Sequence, residues 1–406
     1  MQAVFLPWLH MHQPLIWLDD KLVSNLEKMI LSSDSRESWD GKLIARAYKN
    51  PAKYVEMLKK SGHEPRIALD FSGILLESLQ ELGERGFLDK VEVGGEKVGD
   101  IIAYYKKVLK RYPECIEFAG TAYAHSYFPA IPKEDYALQV EEWRNVFSSL
   151  FGENALKRVK GFWLPEMGVP KHEENLRELI KVLREQGYEW CILPLQTVEG
   201  YEKMSYTQRI ETIIKPWKVS SGGEEIKVVF RAPTYFIDQQ AGTSAEEVYS
   251  KCLEAGKLAD EKPALVITAS DGENGNVMMN EFFPQFYKKF FEEKVDEKVG
   301  SMLVSDFLEK FYQEEELEEI RLKNLGASWI DGHTLWIEGS RREKMVKRLY
   351  ELSAKFHSLH GVDEKTKKLF LIAETSCYNY WGTNFWFDQG ERTIEAVLER
   401  FNKVRE

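Results

Sequence analysis

The sequence predicts an α/β fold in which parallel strands alternate with helices around a barrel, followed by a second domain built of helices. Three observations predict it. Short apolar runs of strand length recur between stretches whose apolar residues fall at helical spacing, the pattern of βα units. Each run gives way to polar residues at its end, as strands do when their C-terminal tips line one mouth. Beyond Pro284 the runs are replaced by Glu- and Lys-rich helical patterns without a convincing buried strand. The expected division is a catalytic barrel over residues 1–300 and a C-terminal helical domain over 301–406 that contributes a loop to the active site.

Ala3 to Leu9 is the first apolar run, and His10-Met11-His12-Gln13-Pro14 stands at its tip. Lys42 to Lys60 has Leu43, Ile44, Ala47, Tyr54, Val55 and Leu58 at helical spacing, and Ser61-Gly62 closes it. Arg66 to Asp70 is the second strand, followed by helices over Ile74–Leu82 and Asp100–Tyr112. Glu114 to Phe118 is a third strand that runs into the polar segment carrying His125. Glu134 to Phe151 is a helix laced with i,i+4 charge pairs. It leads to Gly161-Phe162-Trp163-Leu164-Pro165-Glu166, where Pro165 cannot continue a ladder and Glu166 is left at the tip.

A helix over 172–187 and a strand from Trp190 to Leu195 come next. Ile213–Val219 and Ile226–Phe230, joined through Ser-Ser-Gly-Gly, read as a hairpin ending at Arg231. Helix 244–257 returns the chain to the buried run Ala264–Ser270, with Asp271-Gly272-Glu273 at its tip. Helical patterns then cover 286–298, 301–319, 341–360, 364–374 and 391–403. Between the last two lies Glu374 to Gly390, a loop dense in aromatics. Exposed, those rings would be a costly apolar patch, so the loop is expected to fold back over the barrel mouth.

With 406 residues and 43% apolar content the chain has an ordinary globular core. A net charge of -11 argues against a nucleic-acid groove or an anionic membrane surface as partner and points to a neutral or cationic substrate. Cys115, Cys191, Cys252 and Cys377 form no C-x-x-C pair and read as reduced core thiols. Residues 1 to 20 have no basic n-region, and the first apolar run is broken at once by His10, His12 and Gln13. A soluble, cytoplasmic protein is expected. Its oligomeric state is left open.

Two carboxylates on different strand tips, Glu166 and Asp271, suit glycosidic cleavage, in which one attacks or activates water and the other protonates the leaving oxygen. Their company supports this. His10, His12, His125 and Arg231 would bind hydroxyls, and Trp8, Trp17, Trp163, Trp381 and Trp386 lie beside polar clusters where a ring could stack on a sugar. Arg231 is expected within hydrogen-bonding reach of Glu166, holding it ionised. The rival is a metal-dependent, amidohydrolase-like site made of the His-x-His pair, His125 and Asp271. Against it, His63, His172, His333, His357 and His360 fall away from strand tips, and Glu166 would have no role.

Taken in order, His10-Met11-His12-Gln13-Pro14, the His125 segment, Trp163-Leu164-Pro165-Glu166, Asp271-Gly272-Glu273 and the late aromatic loop resemble the five motifs of glycoside hydrolase family 57. The resemblance spans most of the chain. It implies a (β/α)7 distorted TIM-like barrel followed by a helical domain, acting on α-glucans with retention and without a cofactor or metal. It also implies that Glu166 is the nucleophile and Asp271 the general acid/base. His10, His12, His125, Trp163 and Glu273 would line the sugar subsite, and Trp381 would reach in from the helical domain. Asn274-Gly275 after Glu273 and Cys377-Tyr378 in the late loop depart from the transferase and branching patterns. Amylase, amylopullulanase, 4-α-glucanotransferase and branching activities, on α-1,4 or α-1,6 linkages, therefore remain open, and the compact length favours a hydrolase.

Overall fold

The structure is a computed structural model that describes residues 1–404, without the side chains of Glu314 and Val404. Seven parallel strands make the barrel: β1 (Ala3–Met11), β2 (Ile67–Phe71), β3 (Ile116–Phe118), β4 (Gly161–Trp163), β5 (Trp190–Leu193), β6 (Glu224–Phe230) and β7 (Ala264–Asp271). β7, β1, β2 and β3 are neighbours in one sheet; β4, β5 and β6 are neighbours in another. The two sheets meet through single parallel bridges, Gly120 to Phe162 and Arg231 to Ile267. Two seams held by one bridge each are what distort the ring.

Strand periodicity decides which residues face the axis. Along β1, Val4, Leu6 and Trp8 enter the inner core, whereas Ala3, Phe5, Leu9 and Met11 pack outward against the helices. The same alternation puts Ala68 of β2, Trp163 of β4, Trp190 and Ile192 of β5, Val229 of β6, and Leu265 and Ile267 of β7 inside. Continuing each series toward the mouth gives His10, Asp70 and Arg231 two residues on, and Asp271 four residues past Ile267, as the last inward positions. Register brings three of them level, because His10 pairs with Asp271 on one side and with Asp70 on the other. Gly161 has no substitute here: a Cβ would lie 2.2 Å from the Trp190 ring.

The opposite end is closed by helix Val304–Phe311, whose Val304, Phe307 and Leu308 join the inner core. Its first amides are unpaired within the helix and donate to Glu117 of β3, Val304 N at 2.6 Å and Ser305 N at 3.1 Å. Burial nonetheless lifts the Glu117 carboxyl to about 7, against those hydrogen bonds. Outside, helix Ser35–Lys60 is capped by Asp34, and helix Ile101–Arg111 by Asp100.

Helices Ser340–His357, Glu364–Ala373 and Asn384–Val404 follow. They are tied to barrel helix Tyr136–Phe151 by Gln139 Nε2, which donates to Leu371 O at 3.0 Å and Glu374 Oε2 at 2.8 Å, and by the ion pairs of Lys367 and Lys368 with Glu142. Among the described residues no helix is long and apolar enough to cross a membrane.

Several local expectations are corrected. The expected helix over 286–298 forms as a continuous, mostly wide-turn helix from Phe282 that stops at Lys294, and the expected helix over 301–319 is shortened to Val304–Phe311, the chain breaking between them into a buried two-residue strand Val299–Gly300 on β1. Asp296 accounts for the break, since its Oδ1 accepts from the amides of Lys298 and Val299 and turns the chain. The aromatic loop is shorter than expected: Cys377–Tyr380 is a helical turn, and Asn384 already opens the last helix.

Candidate active site

A cavity of about 730 Å³ opens at the C-terminal ends of the strands. All nine residues singled out from the sequence line it: His10, His12, His125, Trp163, Glu166, Arg231, Asp271, Glu273 and Trp381. Each arrives by a different device. His10 and Asp271 ride on strand ends, Glu166 on the turn that Pro165 opens, and Trp381 comes from the helical part of the chain.

Glu166 and His125 are both held in the left-handed region, at φ 56° and 57°. For residues with a Cβ that conformation costs of order 1–3 kcal/mol and persists only where the surroundings fix it. Around Glu166 they do. Trp329 Nε1 donates to Oε2 at 2.9 Å, Ser376 Oγ donates to Oε1 at 3.4 Å, and His125 Nδ1 lies 3.9 Å from Oε1. Burial lifts the Glu166 carboxyl to about 7, with the Trp329 hydrogen bond opposing and the charge of Asp271 adding to the rise.

Asp271 is solvent-accessible at the mouth, where its amide donates to Gln240 Oε1 at 3.0 Å. Gly272 behind it packs on the Met11 side chain of β1, which would have to move for a Cβ, since that atom would lie 2.0 Å from Met11 Sδ. Glu273 Oε1 accepts from His12 N at 3.2 Å, while its Oε2 and the Trp163 Nε1 are buried without partners. Burial, reinforced by the charge of Asp271, drives the Glu273 carboxyl well above the carboxylate range.

Under the cavity floor the histidines form a stack. His10 lies over Trp163 with ring centroids 5.1 Å apart, and His12 over His125 at 4.0 Å, both pairs 9° from parallel. His10 Nδ1 is 2.6 Å from Asp70 Oδ2, and Trp8 Nε1 donates to Asp70 Oδ1 at 2.7 Å. Burial alone would push the His10 imidazole down, but the charge and hydrogen bond of Asp70 outweigh it and lift His10 to about 9. Burial raises Asp70 as well, with His10 and Trp8 opposing. With the charge and hydrogen bond of Asp70 holding the proton on His10, the pair is read as carboxylate and imidazolium. His12 and His125 are pushed well down by burial and by positive charge nearby, and are neutral.

Could these histidines hold a metal? His12, His125 and Cys377 offer donor atoms within 4.8 Å of one another. The arrangement does not suit a tetrahedral ion. Nearly parallel rings aim their in-plane lone pairs side by side, whereas a zinc ligand set must converge. All four ring nitrogens are also engaged: His12 with Ser72 and Cys377, His125 with Ser376 and His10.

Three expectations need correction. Arg231 lines the cavity but does not pair with Glu166; its positive charge bears on Asp271 and Asp238 instead. Glu166 is accordingly raised by burial, where a neighbouring guanidinium was expected to lower it. Trp8 cannot stack on a ligand, because it is fully buried in the inner core as a donor to Asp70, and Trp17 is turned to Thr393. All four cysteines are free and buried, yet Cys377 faces the cavity and is no simple core thiol. Asp70, Ser376 and Trp329 were missed. An acid inside the apolar run Ile67-Ala68-Leu69-Asp70-Phe71 was a usable signal for the first; the other two come from segments distant in sequence.

A seven-stranded parallel barrel with two carboxylates, a histidine stack and tryptophans at its mouth defines a carbohydrate-active type of site. The sequence matches Glycosyl hydrolase family 57 over residues 7–322, and the chain belongs to that family. A sequence search of the curated proteins gives no match. Among solved structures, the chain is similar to a 4-α-glucanotransferase from Thermococcus litoralis, with a TM-score of 0.70 and 18% identity over 99% of this chain and 60% of that one. This chain thus spans less than two thirds of that relative's length. It is also similar to a branching enzyme of the family from Thermococcus kodakaraensis (TM-score 0.68, 16% identity, 100% of this chain and 90% of that one). A third likeness is to the α-amylase AmyC from Thermotoga maritima (0.67, 12%, 100% and 94%). At these identities the likeness is one of fold, and the fold is the (β/α)7 barrel with a helical region after it.

Proposed function

We propose that the protein is a retaining glycoside hydrolase that cleaves α-glucans, at α-1,4 and also α-1,6 linkages, by double displacement. The observation that carries this is the pair Glu166 and Asp271, two carboxylates from separate strand ends on one cavity of a size to take sugar rings. In this reading Glu166 attacks the anomeric carbon and Asp271 protonates the leaving oxygen. Asp271 then takes a proton from the incoming acceptor while the glycosyl-enzyme bond breaks.

The surroundings support that division of labour. A nucleophile needs a fixed line of attack, and Glu166 is held by strained backbone and by hydrogen bonds to both oxygens. An acid/base must exchange its proton in every cycle, and Asp271 is open to the mouth. Glu273 Oε2 and Trp163 Nε1, buried and unpartnered, are groups that sugar hydroxyls would satisfy. One observation favours the reverse assignment: a carboxyl lifted to about 7 by burial is also what a general acid requires. Azide rescue of Glu166→Ala separates the two assignments.

We further propose that residues 1–300 carry the chemistry and that 301–406 supply binding groups, among them Trp381. The free cysteines favour a reducing, cytoplasmic setting. If a sugar hydroxyl replaces water in the second step, the same site becomes a 4-α-glucanotransferase or a branching enzyme. Product analysis on amylose, pullulan and a short maltooligosaccharide tests the proposal. Shorter products with new reducing ends of α configuration are expected; β products would overturn the retaining mechanism, and longer or branched chains without new reducing ends would replace hydrolysis by transfer.

A further inference from the structure

The hydrogen bonds that reach Glu166 do not end at the cavity wall, and the direction of each can be assigned. With His10 held protonated by the buried Asp70 carboxylate 2.6 Å away, Nδ1–H donates to Asp70 Oδ2 and Nε2–H is left to donate to His125 Nε2 at 2.9 Å. His125 is neutral, and with Nε2 accepting, its proton must sit on Nδ1. That proton is donated to Ser376 Oγ at 2.8 Å. Having accepted from His125, the Ser376 hydroxyl turns its own proton to Glu166 Oε1 at 3.4 Å. We infer that Asp70, His10, His125 and Ser376 form a one-way hydrogen-bond relay that presents a donor to Glu166 and favours its ionised form, with Asp70 and Ser376 as positioning residues.

This rests on the proposed role of Glu166 as nucleophile. The relay supplies what the guanidinium of Arg231 does not, a positive charge coupled to the carboxylate from inside the barrel. Its geometry is clamped. Ser126 and Thr375 form an antiparallel bridge, and Ser376 N donates to His125 O at 3.1 Å, so the last two members, His125 and Ser376, are fixed to each other through their backbones. At the far end Trp8 Nε1 occupies the second oxygen of Asp70 and fixes the plane of its carboxylate. Four other titratable side chains face Glu166: Asp271, whose charge opposes its ionisation, and Tyr127, Tyr380 and Cys377, each pushed up in part by Glu166 itself. His10 in turn faces Asp271 and Glu273 besides Asp70, with neutral His12 and His125 on its other sides.

Two substitutions break the relay at different points. Ser376→Ala removes the last donor, and Ser376→Thr restores a hydroxyl there. Asp70→Asn leaves the amide oxygen to Trp8 Nε1–H and turns the amide nitrogen to His10 Nδ1. His10 then becomes the neutral Nε2–H tautomer, which keeps the direction of the chain but loses the charge. The ionisation midpoint of Glu166 is read by carbon NMR of glutamate-labelled protein, with Glu166→Gln identifying the resonance, and the state of His10 by its ring nitrogen shifts. The midpoint should rise by about one pH unit in Ser376→Ala and in Asp70→Asn and return in Ser376→Thr, with the acid limb of kcat/KM moving equally. His10 should show the imidazolium signature in the wild type and lose it in Asp70→Asn. An unmoved Glu166 midpoint in both Ser376→Ala and Asp70→Asn would overturn the relay. A shifted midpoint without azide rescue of Glu166→Ala would keep the relay and remove the nucleophile assignment instead.

Discussion

Replacing Glu166 by Gln should stabilise the folded protein in a way that depends on pH. The carboxyl rises from its ordinary 4.5 to about 7 in the fold, chiefly through burial. Below 4.5 the group is neutral in both folded and unfolded chains and costs nothing. Between 4.5 and 7 the unfolded chain releases the proton while the folded one retains it, so the penalty on folding grows. Above 7 it is complete, at about 3 kcal/mol. Gln has nearly the same volume and can still accept from Trp329 Nε1, so the variant escapes this penalty with little new cost. An unfolding entropy of about 0.85 kcal/mol/K for a chain of this length turns 3 kcal/mol into a rise in Tm of roughly 3 °C. Calorimetric melts of both proteins at pH 4 and pH 8 measure it. The variant should match the wild type at pH 4 and exceed it at pH 8. A variant less stable at pH 8, or equally shifted at both values, would show that burial does not strain this carboxylate.

Other outcomes follow from the same geometry. Trp381 is 54% exposed at the mouth, so Trp381→Ala should raise KM for oligosaccharides several-fold and leave Tm unchanged; the opposite pattern would make the ring an interdomain plug. Arg231→Met should lower activity yet leave the Glu166 midpoint in place, because the guanidinium acts on Asp271 and Asp238; NMR titration reads it. Chelator-treated protein should keep its activity and contain no stoichiometric transition metal by elemental analysis, since the ring nitrogens of His12 and His125 are committed to hydrogen bonds.

Much of this was legible in the sequence, for a physical reason. Strand tips declare themselves locally: an apolar run sets the parity of β1, and His10 follows Trp8 on the inward side without any knowledge of neighbours. The same holds for Asp271 after Leu265 and Ile267, and Pro165 marks where Glu166 must leave its ladder. What pairs with what across the barrel was not legible. Arg231 and Glu166 both end strands, but β5 lies between those strands, and the Arg231 charge bears on Asp271 of the neighbouring β7 instead. Ser376 and Trp329 reach Glu166 across 210 and 163 residues of sequence, a separation at which no periodicity carries information. The polar neighbours of Trp8 suggest a sugar platform, whereas its parity on β1 puts it in the core.

The central claim is that Glu166 forms the glycosyl-enzyme bond and Asp271 moves the protons, and azide tests it most directly. With Glu166→Ala acting on an activated α-glucosyl substrate, azide should enter the space left by the carboxylate and restore turnover, giving the β-glucosyl azide. Asp271→Ala under the same conditions should give the α-glucosyl azide, because the intermediate on Glu166 still forms and azide attacks it from the opposite face. An α-azide from Glu166→Ala, or near-normal turnover by that variant without azide, would contradict the assignment.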